Sequence, residues 1–333
     1  LSVRGDEYKR LTPVYDWMKI PGATIVQLDK MPGENEIQKW GLTDYVGAVT
    51  DGTYGAVGLD FKSPHTGLAA KKVWFFFDKT YVCLGTDISS RMKNQVLTTV
   101  NQCLLNGQVT VSDADGIHPQ ERGSRMKKGV RWVVHDRVGY YFLNKENVIL
   151  SNQRTEGSWK IANRQTTTPT DIIQQDVFTL SVDHGSYPNN EGYAYMVVPS
   201  ADPLSIEKQV EEEGVVVLAN CPDVQAVRHD GLNMAYAVFY KGGTLRIHDK
   251  IVVEMDAPGM LMVKYNDAGE ILTLGVSDPT RFMKKLHLSV NQRIVGTAQE
   301  NIQTEWDGKQ ALTRITVELP QNEYAGKSVI YNK

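Results

Sequence analysis

His135-Asp136-Arg137, with Tyr140-Tyr141 close behind, places a base, an acid and a cation in one short stretch. Such a set is what proton abstraction and electrostatic stabilisation require. The flanking runs, Val130–Val134 and Val138–Phe142, read as a hairpin, so the three residues form its turn. Adjacent turn residues point in different directions, and Tyr140 and Tyr141 fall on opposite faces of a strand. A structural reading, with tyrosines packing and Asp136 capping the turn, therefore stands beside the catalytic one. His184, in Asp183-His184-Gly185, is read as a loop histidine supporting local backbone, with ligand contact as the alternative. Asp16, Asp29, Glu34 and Glu36 could hold calcium, but they lack EF-hand spacing, and solvation in loops is the better account of them.

Aromatic residues offer a different chemistry. Trp17, Trp40, Tyr45 and Tyr54 lie among the turn signals Pro13, Pro21-Gly22, Pro32-Gly33 and Asp51-Gly52. Flat rings exposed on loops can stack on sugar rings while polar neighbours meet the hydroxyls. The competing reading is that they plug loops onto a core.

Other chemistries lack their signatures. GxGxxG, GxxxxGK[ST], HExxH and GxSxG are absent, and none of the seven histidines is paired at metal-ligand spacing. Three cysteines, widely spaced and without CxxC, make neither a disulfide framework nor a zinc site. A formal net charge of −3 gives no basic surplus for nucleic acid or an anionic membrane. No apolar stretch approaches the length of a membrane span. The opening LSVRGDEYKR has neither an initiator Met nor a signal-like pattern, as in a mature or excised piece.

The elements that must position these residues are strands. Lys71–Ile88 (KKVWFFFDKTYVCLGTDI) holds two β-prone runs split by Asp78-Lys79, a hairpin expected to be covered on both faces because its runs do not alternate. Gln95–Leu104, Val177–Val182 and Tyr193–Val198 are further strands, and Asp113–Gly129 reads as a charged loop. Ser205–Gly214 (SIEKQVEEEG) is the one helix expected, with Ser205 as N-cap, Gly214 as stop and its three glutamates a solvated face. Beyond it, eight short strands between Val215 and Glu318, with punctual turns, mark a β-sandwich. Both halves are all-β, with domains at residues 1–212 and 213–333.

Several stretches together resemble polysaccharide lyase family 8, the chondroitin AC, hyaluronan and xanthan lyases. They are RGDEYKRLTPVYDWMKIPG (4–22), TDGTYG (50–55), AAKKVWFFFDKTYVCLG (69–85), HDRVGYYF (135–142), VDHG with YAYMVVP (182–199) and VLANCPDVQAV (217–227). Their order is the family's, and the likeness is strongest to the chondroitin AC lyases of Bacteroidetes bacteria. The resemblance implies a large antiparallel super-sandwich followed by a smaller C-terminal β-sandwich. In the family an α/α toroid precedes these and carries the catalytic Asn, His, Tyr and Arg, so no catalytic residue is assigned here. The implied chemistry is β-elimination on uronic-acid-containing glycosaminoglycans, which needs no redox cofactor. The matching KWG segment puts Trp40 at an aromatic facing the sugar cleft, the one substrate-binding assignment. Some relatives hold a structural calcium; Asp16 matches one ligand, but Met18 and Gln27 stand where acids are expected, which argues against a metal.

The expectation is the β portion of a secreted or periplasmic bacterial lyase for chondroitin or hyaluronan. Its partners would be the polysaccharide and the toroid, with neither nucleic acid nor membrane. Two rivals remain: a stand-alone carbohydrate-binding module, and a self-sufficient enzyme using the His135/Tyr141 hairpin.

Overall fold

Met234–Phe239, reading MAYAVF, has no polar side, and every residue in it is buried. A strand without alternation is stable only when both its faces are covered. The computed structural model, which describes residues 3–38, 40–294 and 300–333 and Glu34 through its backbone alone, shows what covers them. By contact the chain divides into two compact units, residues 1–39 with 63–68 and 88–207, and residues 40–62 with 69–87 and 208–333.

The second unit is layered around that strand. A six-stranded sheet runs in the order Val215–Cys221, Val224–His229, Met234–Phe239, Gly259–Tyr265, Ile271–Ser277, Val329–Asn332. A five-stranded sheet runs Gly243–His248, Ile251–Met255, Lys285–Val290, Leu312–Glu318, Ile302–Asp307. Between them lies one apolar core that includes Phe239, Ile251, Leu261, Leu286 and Val317. This is the smaller β-sandwich. The other face of the six-stranded sheet meets Val46–Thr50, Gly55–Lys62 and Ala69–Phe76, where Phe75 lies 5.9 Å from Tyr236 ring to ring. Gly58 permits that approach, since a Cβ there would stand 3.2 Å from Val238 Cγ1.

The first unit is a large antiparallel sheet. Its order is Thr24–Val26, Gln95–Leu104, Ile173–Ser186, Val138–Gly157, Glu191–Pro199, with Ser124–His135 and Val109–Asp113 joined alongside. The fold is all-β, a large antiparallel super-sandwich followed by a smaller C-terminal β-sandwich, as the sequence leads one to expect.

Local expectations need correction in four places. Asp113–Gly129 is not a loop: Gly116–Pro119 and the start of Ser124–His135 are strands. Ser124–Lys127 has no apolar face and owes its extended form to pairing with Val148–Ser151, a tertiary cause. Val224–His229, Ile302–Asp307 and Val329–Asn332 add strands not anticipated. The Lys71–Ile88 hairpin is fully covered only on the side of Val73, Phe75, Val82 and Leu84, because Phe76 stays exposed. The helix, Ile206–Glu213, stops at Gly214 with φ 62°, but Asp202 organises its start, accepting from the amides of Leu204, Ser205 and Ile206. Its acids are only partly solvated, since Glu213 lies 3.1 Å from His229 Nε2.

Candidate functional site

The His135 hairpin turns through Asp136 (φ 48°) and Arg137 (φ 62°), the left-handed pair of a two-residue turn matched to strand twist. His135 is buried, stacked 4.2 Å from the Phe178 ring. Its Nε2 accepts from the Asn106 amide at 3.0 Å, so the proton sits on Nδ1, which faces Cys103 Sγ at 3.8 Å. Burial lowers its pKa to about 4 and raises the Cys103 thiol to about 12. The pair is neutral and unreactive at ordinary pH. Asp136 accepts from Arg4 Nε at 2.7 Å and from Asn106 Nδ2 at 2.8 Å, which ties residues 4 and 106 to the turn. Tyr140 is buried and its hydroxyl accepts from Asn101 Nδ2 at 2.6 Å, while Tyr141 lies on the opposite face, half-buried. Acid, base and phenols thus diverge: His135, Asp136 and Tyr140 are each held by a partner from elsewhere in the chain, and the Asp136 carboxylate meets Arg4 and Asn106 rather than its own turn.

His184 is likewise buried, on the strand Ile173–Ser186 rather than in a loop. Its Nε2 lies 2.8 Å from Thr98 Oγ1, which lies 2.7 Å from Thr24 Oγ1, so it pins two neighbouring strands.

The acidic positions do not converge. Asp16 holds the Lys19 ammonium at 2.6 Å and accepts from the Met18 amide at 3.0 Å. Gln27 Nε2 donates to the carbonyls of Met18 and Ile25. An ammonium already neutralises Asp16, and Met18 and Gln27 bring no negative charge, so this donor set does not fit calcium. Glu36 accepts from the Gly33 amide, Asp29 is exposed, and the Glu34 side chain lies outside the described residues. Among the described residues no three His, Cys, Asp or Glu side chains group together for a metal.

The four aromatics separate sharply. Tyr45 is buried, not displayed on a loop: its hydroxyl donates to Phe239 O at 2.8 Å, and burial raises its pKa. Tyr54 donates to Asp78 Oδ1 at 2.8 Å and lies under the Lys264 ammonium, 4.6 Å from ring centre to nitrogen. Trp17 packs edge-on against Tyr15 at 5.0 Å. Trp40 is 79% exposed. The backbone just beyond it is fixed, because Thr43 Oγ1 donates to Asp60 O at 2.6 Å and Asp60 N donates to Tyr45 O at 2.9 Å. A broad apolar ring on an anchored segment can pack against the apolar face of a pyranose.

Sequence reasoning missed Lys72. The Lys71-Lys72 pair looks solvated, yet strand alternation sends Lys72 inward, where burial lowers its pKa to about 7 and its ammonium lies 5.5 Å from the Trp74 ring centre. The alternation of Ala70, Lys72 and Trp74 was the available signal.

Residues 1–210 match the polysaccharide lyase family 8 super-sandwich domain, and residues 216–287 match that family's C-terminal β-sandwich domain. The chain belongs to polysaccharide lyase family 8. Within the family it is 35% identical to a chondroitinase-AC of Pedobacter heparinus, over 99% of this chain and 44% of that protein. It is 29% identical to a hyaluronate lyase of Thermasporomyces composti, over 92% of this chain and 39% of the other. A chondroitinase AC lyase solved with oligosaccharide superposes with a TM-score of 0.84 at 34% identity, covering 99% of this chain and 46% of that one. The chain thus spans less than half the length of these family 8 relatives.

Proposed function

We propose that this chain is the β-sheet portion of a lyase that cleaves uronic-acid-containing glycosaminoglycans, chondroitin or hyaluronan, by β-elimination. In this reading the catalytic Asn, His, Tyr and Arg reside on an α/α toroid outside these residues, and Trp40 supplies a stacking surface at the sugar cleft. The observation that carries it is the match along 99% of this chain to only 44% of a chondroitinase-AC. The exposure of Trp40, with the His135–Tyr141 hairpin engaged internally, supports the assignment of roles.

The chemistry follows from the substrate. The uronate C5 proton is poorly acidic while the neighbouring carboxylate is charged, so a donor must neutralise that group before a base can act. Loss of the proton and departure of the O4 substituent then leave a C4–C5 double bond. No water is consumed. Trp40 would take no part in those bond changes; it would hold a sugar ring in register. A polymer too large to enter a cell suits a secreted or periplasmic site, and a division near residues 212/213 would separate the cleft-facing domain from the C-terminal sandwich.

The test is ultraviolet absorbance of the conjugated unsaturated uronate, with chondroitin and with hyaluronan. The expected trace is flat for the chain alone and rises when the toroid domain is supplied. Turnover by the re-purified chain alone would overturn the division of labour. Measurable polymer binding without rescue by the toroid would instead favour a stand-alone carbohydrate-binding module. In the reconstituted enzyme Trp40→Ala should raise KM about tenfold, with Trp40→Phe intermediate.

A further inference from the structure

Two loops of the C-terminal sandwich, residues 278–284 and 320–327, display more than packing requires. Phe282 is 74% exposed and Tyr324 is 60% exposed. Between and beside them stand Arg281, Lys284 and Lys327, all exposed. Among the described residues these three cations have no carboxylate partner; Lys327 instead lies 5.9 Å from the Tyr324 ring centre. Lys285, by contrast, is paired with Glu318 at 2.9 Å. Glu323 is the one exposed acid of the two loops.

The display is built, not loose. Asp278 is buried and its carboxylate accepts from the amides of Thr280 and Met283, both at 2.8 Å, and from Thr280 Oγ1 at 2.6 Å. That knot forces Arg281 into the left-handed region at φ 65°, where a non-glycine residue is strained, and thrusts Phe282 outward. The second loop is fastened to the first: Gln321 Nε2 donates to Met283 O at 2.9 Å, and Leu319 N donates to Lys284 O at 2.9 Å. Gly326 sits at φ 88°, where a side chain is strained, and a Cβ there would stand 3.2 Å from Arg281 Cγ, so the loops approach closely at a glycine. The root of the first loop is anchored as well, since Val46 N donates to Pro279 O.

Exposed rings cost solvation, and unpaired like charges repel; a rigid frame that holds both together is suited to a ligand offering both complements. We propose that these loops form a second, non-catalytic binding surface for an anionic polysaccharide. Phe282 and Tyr324 would pack on sugar rings, and Arg281, Lys284 and Lys327 would meet carboxylate or sulfate groups. Its role would be to hold polymer on the C-terminal sandwich, through residues other than Trp40. The choice of polysaccharide over single-stranded nucleic acid rests on the glycosaminoglycan reading above; the arrangement of cations and rings suits either polyanion.

Binding of the chain to immobilised chondroitin sulfate, measured without any cleavage readout, tests this. Arg281→Ala/Lys284→Ala/Lys327→Ala should weaken binding about tenfold at low salt and flatten its salt dependence. Phe282→Ala/Tyr324→Ala should weaken it severalfold while leaving the salt dependence unchanged. Both variants should keep the parent Tm, as their side chains are exposed. No binding by the parent chain, or unaltered binding by both variants, overturns the proposal. Loss of binding in Trp40→Ala alone would overturn it while leaving the cleft assignment intact. Equal affinity for single-stranded DNA would overturn the polysaccharide assignment.

Discussion

Acidification should expose the role of His135. Its imidazole, free to protonate near 6.5 in an unfolded chain, is held to about 4 in the fold. Between those values the unfolded state binds the extra proton and the folded state does not, so stability falls as pH is lowered from about 6.5 and the loss is complete below about 4. A displacement of that size corresponds to about 3 kcal/mol, a large fraction of a domain's stability margin of about 5–15 kcal/mol. The side chain is buried, so solvent screening does not reduce it much. The structural cause is burial first, which strips water from the imidazolium; the Arg4 guanidinium adds to the lowering while Asp136 acts against it, and a proton on Nε2 would also oppose the Asn106 N–H that it now accepts. Glu146 acts in the opposite direction. Its pKa is raised to about 7 by burial, with Glu191 adding to the effect, so it favours the fold as pH falls from about 7 towards its ordinary range. The wild-type profile is therefore shallow, and a variant is needed to separate the two. Urea unfolding of wild type and His135→Gln from pH 8 to pH 4 is the assay. The glutamine carbonyl can accept from Asn106 but does not titrate. Stability relative to wild type should rise by about 3 kcal/mol between pH 7 and pH 4. Parallel profiles across that range would refute the assignment of the acid sensitivity to this imidazole.

Three further outcomes follow from the same packing. Lys72, held to about 7, should make stability increase between about pH 7 and 10 by up to about 1.4 kcal/mol per unit, and Lys72→Met should remove that slope in denaturant titrations. Gly157→Ala would set a Cβ 1.8 Å from Pro13 O, a backbone clash that should lower stability by about 3 kcal/mol or more, visible as a fall in Tm of the first unit. Asp278→Ala should cost about 2–3 kcal/mol by leaving the Thr280 and Met283 amides unmet, whereas Trp40→Ala should leave Tm unchanged.

Much of the molecule is legible from its residues. Apolar runs such as Val73–Phe77 and MAYAVF, spaced by Asp-Gly and Gly-Gly turns, determine short strands and an all-β fold, because runs of that length satisfy backbone groups only by pairing. Gly214 ends the helix for a reason readable locally, its left-handed φ. The ordered set of stretches from Arg4 to Val227 determined the family. What the residues could not decide is which side chains have neighbours from far along the chain. Tyr45 and Trp40 occupy similar turn-rich sequence, yet Phe239, almost two hundred residues later, buries one while nothing comparable covers the other. Ser124–Lys127 becomes a strand only because Val148–Ser151 lies beside it. His135, Asp136 and Tyr140 look like machinery in sequence and prove to be joinery, because Asn106, Arg4 and Asn101 arrive to take their polar atoms. Local preference sets the element; desolvation and pairing across long sequence separations set its environment, and hence whether a reactive side chain is free to react.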